Sequence, residues 1–260
     1  MSAEKNPYES ISASLDTRFI GQKIIYFPRL SSTMDIARQE ARQGALEGTV
    51  IITGEQTGGR GRQKRLWLTP PGNIALSVIL QPDVAWLPYL IMISSLAVVH
   101  SIDDVARLEA GIKWPNDILI DGKKVGGILI ENEISTDKTA RAIIGIGINI
   151  NIDESEIKGS SVPVTSLEKE TRQTVVKTDL VKNLLQEMEW LYLELPHGES
   201  IYRKWCDKLA TLGKRVVVNM GAETLKGLAE SVDSAGALML RLDDGNIARI
   251  VAGDVSLRER

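Results

Sequence analysis

Two short segments concentrate residues able to hold and move charge. The first is Gly58-Gly59-Arg60-Gly61-Arg62, with Lys64 and Arg65 close behind. Glycine lets the backbone approach an anion, and each arginine offers a planar fork that fits carboxylate or phosphate. By composition alone the run suits either an anion-binding loop or a solvated arginine–glycine stretch of the RNA-binding kind. It is not a P-loop, because no Gly-Lys-Ser/Thr closes it, and it lacks the dinucleotide glycine spacing. Trp67, just beyond, fits a core position or a lid stacked on a flat ligand. The second segment is Lys113-Trp114-Pro115-Asn116-Asp117, which packs a cation, an aromatic, an amide and a carboxylate into five positions. Proline holds the residue before it extended, so the run reads as a strand boundary or as a surface turn with Trp114 tucked inward. Lys124 follows the Asp121-Gly122 turn and serves either as a solubilising hairpin lysine or as a cation presented to a ligand. Gly126-Gly127 in the next strand favours close approach of something to the backbone. Gly145-Ile146-Gly147-Ile148-Asn149 repeats that theme, with an amide at the strand end.

These residues need elements to position them. Ile24 to Phe27 reads as a short strand. Ser31-Ser32-Thr33 offers N-caps for a helix through Arg42, stopped by Gly44. Thr49 to Thr53 and Asn73 to Leu80 are β-type runs. Gly54 to Lys64 between them fits neither a core strand nor a helix. Leu87 to Leu108 is apolar nearly all round and predicts a buried helix ended by Gly111. Ile112 to Lys113, Ile118 to Ile120, Val125 to Ile130 and Ala142 to Ile148 form a strand series. Asp121-Gly122 marks a hairpin within it. Asp153 to Arg172 reads as loop, and Thr178 as the cap of a helix through Leu193. Helix continues over Ser200 to Leu209. After Gly213 four short β-type runs, 215–218, 224–229, 237–242 and 247–251, predict a small antiparallel barrel. Strands, a long helix, strands and then helices lack regular alternation, which indicates a mixed α+β fold.

Composition narrows the function classes. The 260 residues are 43% hydrophobic, enough for a main domain with a small appendage, and the net charge is −3. An acidic balance argues against a general grip on nucleic acid or an anionic membrane. One cysteine, Cys206, makes no internal disulfide, and with His100 and His197 it makes no metal cluster. An oxygen-ligated magnesium site stays open. The amino terminus has no secretory pattern. The longest apolar stretch, within Leu87 to Val99, falls short of the roughly 20 residues that span a bilayer. The expectation is a soluble, cytoplasmic protein.

Taken together, the GRGR run (59–62), KWPNDI (113–118), KKVGGILIE (123–131) and GIGININ (145–151) resemble the catalytic domain of biotin protein ligases, in that family's order. The resemblance covers residues 24–260. It is to the class without an amino-terminal DNA-binding domain, because only residues 1–20 precede the first strand. It implies a class II aminoacyl-tRNA synthetase-like mixed sheet with helices in residues 1–212, with 1–20 as a lead-in. A small SH3-like barrel follows in 213–260. Position by position, Ser32, Thr33 and Gln56 resemble the residues that hold the biotin ureido ring and tail. Gly59, Arg60, Gly61 and Arg62 resemble the biotin-binding loop, with Arg60 and Arg62 near the carboxylate and α-phosphate. Lys124 matches the catalytic lysine, and Gly127 lies in its biotin-binding strand. Trp67 and Asn149 resemble adenylate contacts. Lys113, Asn116 and Asp117 match the ATP side, with Asp117 as the magnesium ligand. Met34 departs from the family, which usually carries asparagine or glutamine there, and is read as a packing residue.

The resemblance implies an ATP-dependent biotin–[acetyl-CoA-carboxylase] ligase with ATP, biotin and Mg2+ as reactants. Its partner is then the biotin carboxyl carrier protein or domain of a carboxylase. No DNA or membrane partner is expected, and a homodimer through an edge strand is the oligomeric expectation. Lipoate ligases share the main fold and are the nearest rival. A ureido ring, unlike a simple acyl chain, needs convergent donors and acceptors, which Ser32, Thr33 and Gln56 provide. A nucleic-acid binder using the arginine–glycine run is the rival from another class. The shortness of that run and the acidic net charge argue against it.

Overall fold

Runs of β-branched residues build a seven-stranded sheet in the computed structural model, which describes residues 6–134, 138–152, 163–221 and 223–257. Its strands are β1 (Ile24–Phe27), β2 (Val50–Thr53), β5 (Ile74–Leu80), β6 (Gly111–Lys113), β7 (Asp117–Ile120), β8 (Lys123–Ile134) and β9 (Ala140–Ile148). The spatial order is β1-β2-β5-β9-β8-β7-β6. Only β1 and β2 pair in parallel; every other neighbouring pair is antiparallel.

The pleat sends alternate residues to opposite faces. Val50, Ile52, Leu76, Val78, Ile144 and Ile146 join the main core. There they meet α3 (Leu90–Ala106), α5 (Lys177–Leu193) and α6 (Gly198–Lys208). Ile51, Ile79 and Ile143, one residue out of phase, pack against Met34, Ala37 and Ala41 of α2 (Thr33–Arg42). Strands covered on both sides read as continuous apolar runs, as β5 does. On the α2 face, the same phase that carries Ile79 and Ile143 goes on to Ser77, Ala75, Gly145 and Gly147. The apolar layer stops there and leaves room.

Several local expectations shift. Gly54 to Lys64 is not structureless: β3 (Gln56–Arg60) and β4 (Leu66–Thr69) pair as a separate hairpin. Glycine tolerance of strand geometry and the long-range docking of Trp67 override the loop-like composition. The buried helix begins as a 3-10 stretch at Val84–Tyr89, which accommodates Pro88, and ends on left-handed Arg107 rather than at Gly111. Gly111 opens β6 instead. The continuous helical run Val84–Ala106 has 23 residues, with a mean hydropathy of 1.6 over an 18-residue window, so it is longer than the Leu87 to Val99 stretch suggested. By length and composition it could cross a membrane, yet 61% of its apolar window is buried within the fold. Ser94, Ser95 and Ser101 are satisfied by carbonyls one turn back.

Val176, not Thr178, stands at the N-cap of α5. Part of the polar stretch forms the short helix α4 (Leu167–Thr171), while residues 153–162 lie outside the described residues. The lead-in contributes α1 (Glu9–Ser14), whose Ile11 is buried beside Tyr8. Buried Glu189 of α5 accepts from the backbone N–H groups of Arg18, Phe19 and Ile20, which anchors the chain entering β1.

The carboxyl-terminal region holds five strands rather than four. These are β10 (Arg215–Met220), β11 (Glu223–Val232), β12 (Leu238–Leu242), β13 (Ile247–Ile250) and β14 (Asp254–Leu257). Their antiparallel order is β13-β12-β11-β10-β14, of the SH3-like type. β14 carries a weak sequence signal, with Val255 its buried apolar residue among the described side chains. Trp114 Nε1 donates to the Gly236 carbonyl (2.8 Å) and Tyr202 to the Val232 carbonyl (2.6 Å), which fasten this sheet to the rest.

Candidate active site

The room left on the α2 face is a cavity of about 390 Å³. Its floor is made by missing side chains. A Cβ on Gly147 would stand 2.3 Å from Trp67 Nε1, and one on Gly145 2.6 Å from the Met34 sulfur. Gly127 on the neighbouring strand, paired with Gly147, lies under the same indole. Glycine at these three positions lets flat groups lie against the sheet.

One end of the cavity is uncharged. The buried Gln56 Oε1 accepts from Thr33 N–H (2.9 Å) and Thr33 Oγ1 (3.2 Å), at the first turn of α2. Ser32 occupies the N-cap position but makes no capping bond. Its hydroxyl, on a residue 1% exposed, has no hydrogen-bond partner among the described residues. The helix start is thus spent on the cavity, not on capping.

The other end is cationic. Asp117 Oδ1 lies 2.5 Å from Lys124 Nζ, and its Oδ2 lies 3.4 Å from Lys113 Nζ. Lys124 Nζ also sits 5.1 Å from the Trp67 ring centroid. Lys113 is only 4% exposed, and burial pushes its ammonium below the ordinary lysine value of 10.5, against the opposing pull of Asp117. Arg62 Nη1 donates to Asn116 Oδ1 (3.3 Å) and to the Gly253 carbonyl (3.1 Å). Burial lowers its pKa too, although a guanidinium keeps its proton throughout the working range. Lys113, Lys124 and Arg62 against Asp117 leave two positive charges unbalanced in a poorly solvated place. Such a site favours an anion with several oxygens, such as a phosphate chain or a carboxylate. Asp117 fits a nucleotide-carried magnesium, which takes one or two carboxylates and completes its shell with phosphate oxygens and water.

The hairpin of β3 and β4 covers the cavity mouth. Trp67 turns inward while its neighbours Leu66 and Leu68 are 64% and 42% exposed. Arg65 pairs with Asp254 of β14, so the small sheet holds the hairpin from outside.

Residues 26–149 match the Biotin/lipoate A/B protein ligase family, and 211–258 match the Biotin protein ligase C terminal domain. The bifunctional ligase/repressor BirA of Bacillus subtilis is 36% identical over 256 residues, covering 95% of this chain and 78% of that protein. The biotin–[acetyl-CoA-carboxylase] ligase of Paracoccus denitrificans is 31% identical over 201 residues, 74% of this chain and 83% of that one. The chain belongs to the biotin protein ligase family. The biotin protein ligase of Aquifex aeolicus, solved in complex with biotin and ATP, shares the fold at TM-score 0.76 and 24% identity, over 92% of this chain and 100% of that one.

All the residues singled out for a biotin ligase site line the cavity except Gly59. Gly59 acts from behind: a Cβ there would stand 2.0 Å from Gln56 Nε2 and 2.4 Å from the Trp67 carbonyl. Arg60 reaches the rim but is held by Asp35 of α2 (Nη1 to Oδ2, 3.1 Å), which Arg38 shares, and does not join the pairs around Asp117. That pairing keeps the Asp35 carboxyl below its usual range. Asn149 donates to the Thr165 carbonyl (3.1 Å), which ties the end of β9 to the segment leading into α4.

Met34, read as packing alone, both packs on Gly145 and lines the cavity. Asp254 and Ser77 escaped sequence reading altogether. Asp254 sits on the unpredicted strand. Ser77 is a polar residue in phase with Gly145 inside an apolar run, and that phase was its one available signal.

Proposed function

We propose that this chain activates biotin with Mg-ATP to biotinyl-5'-AMP and transfers the biotinyl group to one lysine of a carboxylase biotin carrier domain. One observation carries this reading. A hydrogen-bonding, uncharged end at Ser32, Thr33 and Gln56 and a cationic end at Lys113, Lys124 and Arg62 share a single glycine-floored cavity. The first suits a neutral polar ring, the second a carboxylate beside a phosphate chain, and the Trp67 lid covers the flat groups between.

In the first step the biotin carboxylate attacks the α-phosphorus and pyrophosphate leaves. The carboxylate is ionised already, so no general base is required. Lys124 and Arg62 neutralise charge on the non-bridging oxygens, and Lys113 and Asn116 hold the nucleotide side. Asp117 positions both lysines and would supply a carboxylate oxygen to the magnesium that accompanies ATP. In the second step the carrier lysine amine attacks the carbonyl of the mixed anhydride and AMP departs. The hairpin keeps water off that anhydride until the carrier arrives.

Residues 1–212 form the catalytic unit in this reading, and 213–260 a small unit that steadies the hairpin through Gly253 and Asp254. The enzyme works in the cytoplasm, with neither DNA nor membrane as a partner of these residues. It forms a homodimer through an edge strand, which sedimentation at several concentrations with and without biotin checks.

Biotin-dependent ATP–pyrophosphate exchange, run in parallel with lipoate, tests the activity. Exchange with biotin and not with lipoate is expected, and lipoate as the better substrate would overturn the reading.

A further inference from the structure

The uncharged end of the cavity holds a hydrogen-bond chain whose direction follows from one backbone donor. Thr33 N–H lies 2.9 Å from the Gln56 side chain. A backbone N–H can only donate, so the atom facing it is the carbonyl oxygen Oε1, and the amide NH2 points the other way. Thr33 Oγ1 is 3.2 Å from that same oxygen, which only accepts, so the single hydroxyl proton of Thr33 is committed there. Ser77 Oγ stands 2.8 Å from Thr33 Oγ1. With the Thr33 proton already spent, Ser77 must be the donor. Protons therefore run from Ser77 to Thr33 to Gln56.

Ser77 lies mid-way along β5, 0% exposed, beneath the start of α2 and opposite Gly145 in register. It does not line the cavity and acts only through Thr33. With its proton on Gln56 and one lone pair taken by Ser77, Thr33 keeps one lone pair and no proton to offer a ligand. Gln56 offers its NH2, which occupies the space that a side chain on residue 59 would need. Ser32 adds a buried hydroxyl with no partner among the described residues.

We infer that Ser77 is a positioning residue that sets substrate specificity. By strengthening the bond through which Gln56 takes the Thr33 proton, it keeps Thr33 an acceptor, and the site then demands a ring with an N–H for Thr33 and an oxygen for Gln56 and Ser32. A cyclic urea carries both within one ring, whereas an alkyl chain or a dithiolane carries neither. The inference rests on the biotin reading and adds the residue that enforces it. A donor into Thr33 polarises its O–H and strengthens the 3.2 Å bond to Gln56, so without the Ser77 hydroxyl that bond weakens and the Thr33 proton can turn toward the cavity instead.

The test uses the full chain with biotin and its two carbamate isosteres, each with one ureido N–H replaced by ring oxygen. Titration calorimetry on the wild type should show at least one isostere bound about 10- to 100-fold more weakly than biotin. Ser77→Ala should narrow that gap by roughly 5- to 10-fold and weaken biotin binding by a similar factor. Its kcat for pyrophosphate exchange at saturating biotin and its KM for ATP should stay unchanged. Ser77→Cys keeps a weak donor and should fall between the two; it also carries the comparison if the alanine variant does not fold. An unchanged biotin-to-carbamate ratio in a folded variant overturns the inference, and so does a lower kcat with unaltered biotin affinity. Wild-type protein that fails to bind biotin would overturn the functional reading instead, before any variant is compared.

Discussion

Lys124 and Asp117 face each other across the β7–β8 hairpin, Nζ 2.5 Å from Oδ1. Their meeting with Gly127 depends on a bulge. Leu119 pairs with Lys124 and Ile118 with Gly126, so Val125 is the extra residue. Strict alternation would place Lys124 on the same side as Gly126 and opposite to Gly127. The bulge resets the phase, so Lys124, Asp117 and Gly127 share the cavity face.

Lys124→Ala removes a charge from this face without touching the apolar core. Biotin-dependent pyrophosphate exchange should fall by roughly 10²-fold or more, about 3 kcal/mol in the transition state. Thermal unfolding should stay near wild type. Exchange within about threefold of wild type would remove Lys124 from the catalytic machinery, and normal exchange with lost carrier labelling would confine it to the second step.

Lys113 gives a pH signature. Its folded pKa lies below the ordinary 10.5, so between the two values the unfolded chain binds more protons. This group's burial penalty is therefore fully present below the folded pKa, and stability rises with pH through the window up to 10.5. Activity runs the opposite way, because the phosphate contact needs the ammonium. The kcat/KM for ATP should decline at a pH below the ordinary lysine range. Lys113→Arg, which stays charged, should flatten that alkaline limb. A limb that keeps its position in the arginine variant would assign it to another group.

Gly147→Ala tests the floor. Its Cβ would stand 2.3 Å from Trp67 Nε1, so the indole and the hairpin that carries it would have to lift off the sheet. Biotin affinity should drop at least about tenfold while β9 stays paired. Wild-type affinity, with unchanged tryptophan fluorescence on biotin addition, would show that Trp67 does not rest on the sheet when ligand binds.

The hairpin must admit ligand and then exclude water, so residues 54–65 should be cut slowly by protease in the presence of a non-hydrolysable biotinyl-AMP analogue and quickly without it. Arg62→Ala, which severs ties to Asn116 and Gly253, should weaken adenylate binding and release the intermediate to solvent. Equal cleavage rates in both conditions would count against a closing hairpin.

Much of the site was legible because its motifs are local. Asp121-Gly122 specifies a tight hairpin through two adjacent left-handed residues, φ +48° and +75°, and that turn alone delivers Lys124 beside β7. Alternating glycines in 145–149 announce a bare sheet face through the period-two pleat, and Gly44 ends α2 in the left-handed conformation expected of it. Tertiary structure decided what no local pattern carries. The pairing of Arg60 with Asp35, apart from the cationic end of the cavity, depends on where the hairpin lands on α2. Ser77 meets Thr33 from 44 residues away, and Arg65 meets Asp254 from 189. A side chain's type states which bonds it can make. Its partner is chosen by strand register and helix docking, which burial across the whole fold sets.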